Sequence, residues 1–208
     1  MTQLQILLAL QAATPAATAP AATTPAANSC QVDRAFVERA AASLSLGYDA
    51  FDQDMDGGWR ALARQPGCEG AAADLVHAYR ANLESHLSIL YWHEGQLRAN
   101  IGQNAEAIRL MEQSRKADDR FGWNPYVDAS TAFLRGDRAA LVAARATLAG
   151  LPRPAGYEDR VLANGMQVTW PPNLAVVDGL VRCFGRPYRE AYASPECREP
   201  AAAPGAGH

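Results

Sequence analysis

Apolar residues recur along the chain at steps of three and four, which is the spacing of one face of an α-helix. One stripe of this kind runs through Leu75, Val76, Tyr79 and Leu83. Later segments carry further stripes: Leu87, Leu90, Tyr91 and Gly95; Ala107, Ile108, Leu110 and Met111; and Leu174, Val177, Leu180, Val181 and Phe184. Strand-like alternation is nearly absent. The pattern therefore predicts an all-α protein.

Glycine, proline and asparagine mark where these helices begin and end. Gly102 and Gly136 each separate two apolar stripes, and Asn124-Pro125 has asparagine and proline in the order that opens a helix. Pro152 ends the helix that follows Gly136. We therefore expect antiparallel helical hairpins with short turns.

The hairpins share a period. Gly102 and Gly136 are 34 residues apart, and at the same offset Trp92 aligns with Tyr126. A helix–turn–helix unit of about 34 residues is the length of a tetratricopeptide repeat.

The unit that begins at Tyr91 resembles that family at five positions. Tyr91 stands for the family's tryptophan, Gly95 for the glycine at the helix crossing, and Gly102 for the turn glycine. Ala107 and Met111 take the small and the aromatic positions. It departs from the family pattern at Glu94, Arg98 and Asp119. The resemblance implies hairpins stacked in a right-handed superhelix, and an irregular helical bundle stapled by disulfides is the alternative.

The resemblance also implies a binding surface. In a tetratricopeptide stack the first helix of each pair lines a concave groove, which would here present Trp92, Gln96, Asn100, Trp123, Tyr126 and Phe133. Aromatic rings beside amide groups offer a peptide rigid contact area and hydrogen-bond donors. The alternative is that the aromatic rings fill the core between the helices.

The two ends of the chain differ in composition from the part between them. Residues 12–29 contain only Ala, Thr, Pro, Asn and Ser, too little large apolar surface to offset the entropy of folding. We interpret residues 1–29 as a signal-like segment, without the usual basic start, followed by a disordered linker. Residues 30–199 form the predicted helical repeat domain, and residues 200–208 a disordered tail.

Four cysteines lie near the ends of this domain. They allow three pairings, and we favour the local one, Cys30 with Cys68 and Cys183 with Cys197. Disulfides form in oxidising compartments, which favours a periplasmic or secreted protein. Four reduced, buried thiols in a cytoplasmic protein are the alternative.

Charge and hydropathy narrow the classes of partner. The net charge is −3 without a basic cluster, which argues against nucleic-acid binding. No apolar run approaches the roughly 18 residues of a transmembrane helix. We expect a protein or peptide partner and no cofactor.

The segment FDQDMDGGWR carries alternating carboxylates at Asp52, Asp54 and Asp56. This spacing matches the first half of a calcium loop, but the closing glutamate position falls on Ala63. We favour an acidic turn whose Phe51 and Trp59 anchor it in the core, with calcium binding as the alternative.

A catalytic or metal site could involve His86, His93 and Glu94 together with the Asp52–Asp56 cluster. Adjacent helical residues point about 100° apart, so His93 and Glu94 do not form an oriented pair, and the histidines lack ligand spacing. No catalytic motif occurs, and we predict no catalytic residue and no metal ligand. The sequence therefore favours a non-catalytic binding or scaffolding module of the cell envelope, with a small helical metal-binding protein or enzyme as the alternative.

Overall fold

Most of the residues that the structure describes are helical. A computed structural model describes residue 30 and residues 34–82, 87–161 and 167–198. The first part contains α1 (Arg34–Ser43), a π-helical turn (Asp49–Gln53), α2 (Gly58–Ala63) and α3 (Glu69–Asn82). Two hairpins follow, α4 (Ser88–Asn100) with α5 (Asn104–Gln113), and α6 (Trp123–Arg135) with α7 (Arg138–Ala149). The last part contains the strands β1 (Arg160–Val161) and β2 (Gln167–Val168), then α8 (Leu174–Arg182), α9 (Tyr188–Ala193) and α10 (Pro195–Arg198). The predicted all-α class is confirmed, with one small antiparallel β-ribbon added.

The turns of the two hairpins have the same backbone geometry. Gly102 and Gly136 both adopt the left-handed conformation, with φ of 79° and 72°. In both turns, the N–H of the residue after the glycine donates to the carbonyl oxygen five residues earlier, at 2.9 Å. This is the hydrogen bond of the Schellman motif, which satisfies a carbonyl left free at a helix end. The two turn glycines are therefore equivalent in structure.

Small residues occupy matching positions in the first helix of the two hairpins. A Cβ atom added to Gly95 of α4 would stand 3.0 Å from Cγ of Met111 and 3.2 Å from the carbonyl oxygen of Ala107. The residue one period later, Ala129 of α6, is fully buried. Gly95 therefore allows a close approach of α4 and α5.

The loop between α5 and α6 is closed by Asp119 and Asn124. The sequence predicts Pro125 as the first helical residue, whereas α6 begins two residues earlier, at Trp123, and Asn124 does not act as the cap. Instead, the Asn124 side chain bonds to both the N–H and the carbonyl of Lys116, at 3.0 and 2.8 Å. The Asp119 carboxylate accepts from the N–H groups of Phe121 and Asn124. Burial raises the pKa of Asp119, but backbone N–H donors outweigh it and hold the pKa below its ordinary value of 3.8.

Helix α4 lies between two hydrophobic clusters. Leu90 and Leu97 pack with α2 and α3, while Trp92 and Ala99 belong to the larger cluster of α5 to α10. One helix thus joins the first part of the chain to the hairpins.

Two disulfides close the ends of the domain. Cys30 is bonded to Cys68 and Cys183 to Cys197, so the predicted local pairing is confirmed. Among the described helices, none is long and apolar enough to cross a bilayer. Residues 1–29 and 200–208 lie outside the described part of the chain, and their assignment as signal-like segment, linker and tail stays a prediction.

Replacing Cys183 and Cys197 together by alanine should lower the free energy of unfolding by about 3 kcal/mol, because the bond closes a loop of 14 residues. Urea denaturation measures this loss. The Cys30–Cys68 bond should stay intact, which mass spectrometry after alkylation of free thiols can verify. Equal stability of the variant and the wild type would contradict a structural role for this bond.

Candidate functional site

Most aromatic residues of the predicted groove lie in the protein core. Trp92, Tyr126 and Phe133 are only 3%, 2% and 7% exposed. The ring centroid of Trp92 lies 4.6 Å from that of Tyr126 and 5.0 Å from that of Trp123. The rings contact each other across the two hairpins. This burial corrects the expectation that they line an open groove and agrees with the alternative interpretation.

Trp123 is partly buried and held by polar contacts. Its indole Nε1 donates to the carbonyl oxygen of Ser114 at 2.8 Å, and the Lys116 ammonium lies 4.6 Å from its ring centroid. The indole therefore supports the α5–α6 loop.

Gln96 and Asn100, the two amides predicted for the groove, line a cleft of about 320 Å³. The cleft lies between α2, α4 and α9. Asn100 Nδ2 donates to Glu69 Oε1 at 3.3 Å, and Glu69 also pairs with Arg189 of α9. The amides thus lie beside an ion pair that joins α3 to α9.

Aromatic side chains form two walls of this cleft. Trp59 comes from α2, and Tyr188 and Tyr192 come from α9. The two tyrosine rings are stacked, with centroids 5.6 Å apart and an interplanar angle of 27°. No sequence pattern links these residues to the site, because Trp59 and the tyrosines lie far from Gln96 along the chain and no regular spacing relates them to it.

Two arginines and a methionine border the opening. The Arg60 guanidinium lies 4.2 Å from the Trp59 ring centroid, a cation–π arrangement. Arg64 donates to the carbonyl oxygen of Asp56 at 3.1 Å, which holds the acidic turn against α2. Met55 is largely exposed at the same edge.

Behind Trp59, the buried carboxylate of Asp52 accepts three side-chain hydrogen bonds. Trp59 Nε1 donates to its Oδ1 at 2.9 Å, and Gln53 Nε2 donates to its Oδ2 at 2.6 Å. His93 Nδ1 of α4 lies 2.7 Å from Oδ1. Since an ionised carboxylate can only accept, the proton in this contact lies on Nδ1.

The pKa of Asp52 reflects this environment. Burial raises it, but the hydrogen bond and charge of His93, the Trp59 hydrogen bond and the Arg60 charge outweigh burial. The pKa is therefore below its ordinary value of 3.8. The network ties the acidic turn to α4 and fixes the position of Trp59.

The three carboxylates of FDQDMDGGWR do not converge. Asp52 points into the core, Asp54 Oδ1 accepts from the N–H of Asp56 at 2.9 Å, and the Asp56 side chain is 94% exposed beside Arg64. Within the described residues, no three His, Cys, Asp or Glu side chains meet in a way that could hold a metal ion. The acidic-turn interpretation, with Phe51 and Trp59 buried, is the one that the geometry supports.

Isothermal titration of metal-stripped protein with millimolar calcium should therefore give no binding heat. The reason is that the Asp52 carboxylate is occupied by protein donors and cannot turn toward an ion without leaving them unpaired. Saturable heat that Asp56→Ala abolishes would contradict this expectation.

His93 and Glu94 belong to separate networks. Glu94 is buried against α3, where its Oε2 lies 2.9 Å from Arg80 and its Oε1 lies 3.3 Å from His77 Nδ1. His93 faces Asp52 instead. His86, the third residue of the alternative site, lies outside the described residues. The described members of that site therefore hold helices together and do not share a substrate position.

The cleft offers aromatic faces, two amides and two arginines. The arginine guanidinium groups already donate hydrogen bonds to backbone carbonyl oxygens of the protein. Such groups can bind an amphipathic side chain or a stretch of peptide backbone.

No family model, no curated protein and no solved structure matches this chain. The likeness to tetratricopeptide repeats therefore rests on the sequence period and on the equivalent turns.

Proposed function

We propose that the protein is a non-catalytic helical repeat module that binds a protein or peptide. Its hairpins α4–α5 and α6–α7 then act as two degenerate tetratricopeptide-like units, stacked in a right-handed superhelix. The equivalent turns at Gly102 and Gly136 support this, as does the direct contact between Trp92 and Tyr126, which occupy the same position of successive units.

The cleft is the observation that carries the binding role. The amides of Gln96 and Asn100 line it together with the rings of Trp59 and Tyr192. Rings can pack against apolar side chains of a peptide, and amides can bond its backbone. At about 320 Å³ it is at the small end of ligand pockets, which range from about 300 to 1,000 Å³. A short peptide segment fits this size.

Helix α9 limits the length of that segment. It packs against α4 and α8 and brings Tyr188 to within 6.0 Å of Phe133, ring centroid to centroid. Phe133 was predicted to face a partner, and here it faces the chain's own tyrosine. The partner peptide would therefore bind beside α9, in the cleft that Gln96 and Asn100 of α4 line.

The disulfides support a location in an oxidising compartment. Both bonds are formed, and stable disulfides are rare in proteins of the reducing cytosol. We propose that the module acts in the periplasm or outside the cell.

A displayed library of random peptides, selected against the full chain, tests the binding role. We expect an enriched sequence class whose synthetic peptide binds the wild type in a saturable way. Asn100→Ala and Tyr192→Ala should each raise its Kd about tenfold, a loss of about 1.4 kcal/mol. Val142→Ala, on the exposed face of α7, should leave the Kd unchanged. Enriched peptides that bind both cleft variants like the wild type would contradict the assignment.

A further inference from the structure

A second aromatic cluster lies on the surface, formed by Phe121, Tyr157 and Trp170. We call these three residues the aromatic platform. The ring centroid of Tyr157 lies 4.8 Å from that of Trp170, and Phe121 lies 6.5 and 6.4 Å from the two. Phe121 is 55% exposed. The platform joins the α5–α6 loop to the connection between α7 and α8.

Two rings of the platform are held in place by other contacts. Trp170 Nε1 donates to the carbonyl oxygen of Leu151 at 3.0 Å. The Arg153 guanidinium lies 5.7 Å from the Tyr157 ring centroid and pairs with Asp159 at 2.7 Å. The rings are therefore fixed before any ligand arrives, which lowers the entropic cost of binding.

Two residues of the platform, Phe121 and Tyr157, line a surface cavity of about 570 Å³, and the Trp170 ring packs against both of them. Pro154 and Pro172 form part of its wall beside Phe121 and Tyr157. Proline-rich peptides in the polyproline II conformation bind to grooves lined by aromatic rings, because this helix is extended and already low in entropy. The aromatic side of the cavity therefore offers the rings that such a peptide packs against, and Glu158 and Arg160 also line the cavity.

The chain itself contains a matching ligand. The fifteen residues 14–28 read TPAAT-APAAT-TPAAN, three successive pentapeptides with proline at the second position and alanine at the third and fourth. The prolines are Pro15, Pro20 and Pro25, and the segment carries no charge. We propose that the aromatic platform binds this segment of the same chain, one proline-containing repeat at a time.

The length of chain before Cys30 allows this contact. In polyproline II geometry the residues from Pro15 to Cys30 span roughly 45 Å, at about 3.1 Å per residue. A domain of roughly 170 residues has a radius of gyration of about 15 Å, so the repeat at Pro15 has the length to reach across it. A short tether gives an effective concentration in the millimolar range, so a weak contact suffices.

Proton–nitrogen NMR spectra of the full chain test the proposal in cis. We compare the wild type with a variant carrying Pro15→Ser, Pro20→Ser and Pro25→Ser, and expect the indole signal of Trp170 and the amide signals of Phe121 and Tyr157 to move. The matched control replaces the two prolines of the other terminus, Pro200→Ser with Pro204→Ser, and should leave these signals unchanged. Wild-type and triple-variant spectra that superimpose at the platform would overturn the proposal, as would shifts caused by the control.

A peptide of residues 14–28 tests the same contact in trans. Added to the triple variant, it should restore the wild-type signals in a saturable way. Phe121→Ser in that background should weaken its binding about tenfold, whereas Val142→Ser, also an exposed apolar position, should not. If the platform signals of the wild type change with protein concentration, the bound segment comes from a second copy of the chain. That result would overturn binding within one chain.

Discussion

Trp92→Ala should lower the free energy of unfolding by about 4 kcal/mol. The side chain is 3% exposed and contacts the rings of both Trp123 and Tyr126, so its removal leaves a cavity between the two hairpins. Truncation of a buried tryptophan or phenylalanine costs about 3–5 kcal/mol. For a chain of this size the melting temperature should fall by roughly 12 °C, which calorimetry measures.

Phe121→Ala is the matched control, because it truncates an aromatic residue that is 55% exposed. Its effect on the free energy of unfolding should stay within about 0.5 kcal/mol. An equally small loss of unfolding free energy in Trp92→Ala and Phe121→Ala would contradict the burial of Trp92. It would instead support the open aromatic groove that the repeat resemblance implies.

Asp52→Ala should cost a similar amount, about 4 kcal/mol. It removes the shared acceptor of Trp59 and His93, so the buried Trp59 N–H and the partly buried His93 ring lose this partner, whereas the exposed Gln53 amide keeps its bond to Tyr48. Breaking a buried charged network from one side typically costs about 3–5 kcal/mol. Asp54→Ala in the same turn should cost far less, because Asp54 is exposed. Urea denaturation of both variants at pH 7 measures the difference, and equal losses would contradict the network.

The contribution of Asp52 should also depend on pH in a defined direction. The pKa of its carboxyl group is lower in the folded protein than its ordinary value of 3.8. The stability advantage of the wild type over Asp52→Asn is therefore complete above about pH 4 and declines as the pH falls toward the folded-state pKa. Urea denaturation at pH 7, 5 and 3 follows this decline. An advantage that stays constant down to pH 3 would contradict the lowered pKa.

Local sequence signals predicted the parts of the fold that local interactions determine. Gly102 and Gly136 ended their helices as expected, because only glycine adopts the left-handed conformation there without strain. The two disulfides joined the cysteines nearest in sequence. Helix α6 starts two residues earlier than predicted, because Asp119 accepts a hydrogen bond from the N–H of Asn124 and so takes the capping role expected of the Asn124 side chain.

The contacts that shape the site are long-range, and the sequence carried no pattern for them. Asp52 and His93 are 41 residues apart, and nothing in their spacing indicates a hydrogen bond. Helix α9 has only six residues, so its apolar pattern is too short to predict which face of the domain it covers. Phe133, expected in the groove, is therefore buried by Tyr188 of α9, a helix outside the two repeat units.

The most direct test of the proposed binding role is the NMR map of the full chain with a peptide from the displayed library. Chemical-shift changes should concentrate on the indole of Trp59, the side-chain amides of Gln96 and Asn100, and the backbone of Tyr192. They should be small on the outer faces of α5 and α7. Shifts confined to those outer faces, with the four cleft residues unmoved, would contradict binding in the cleft.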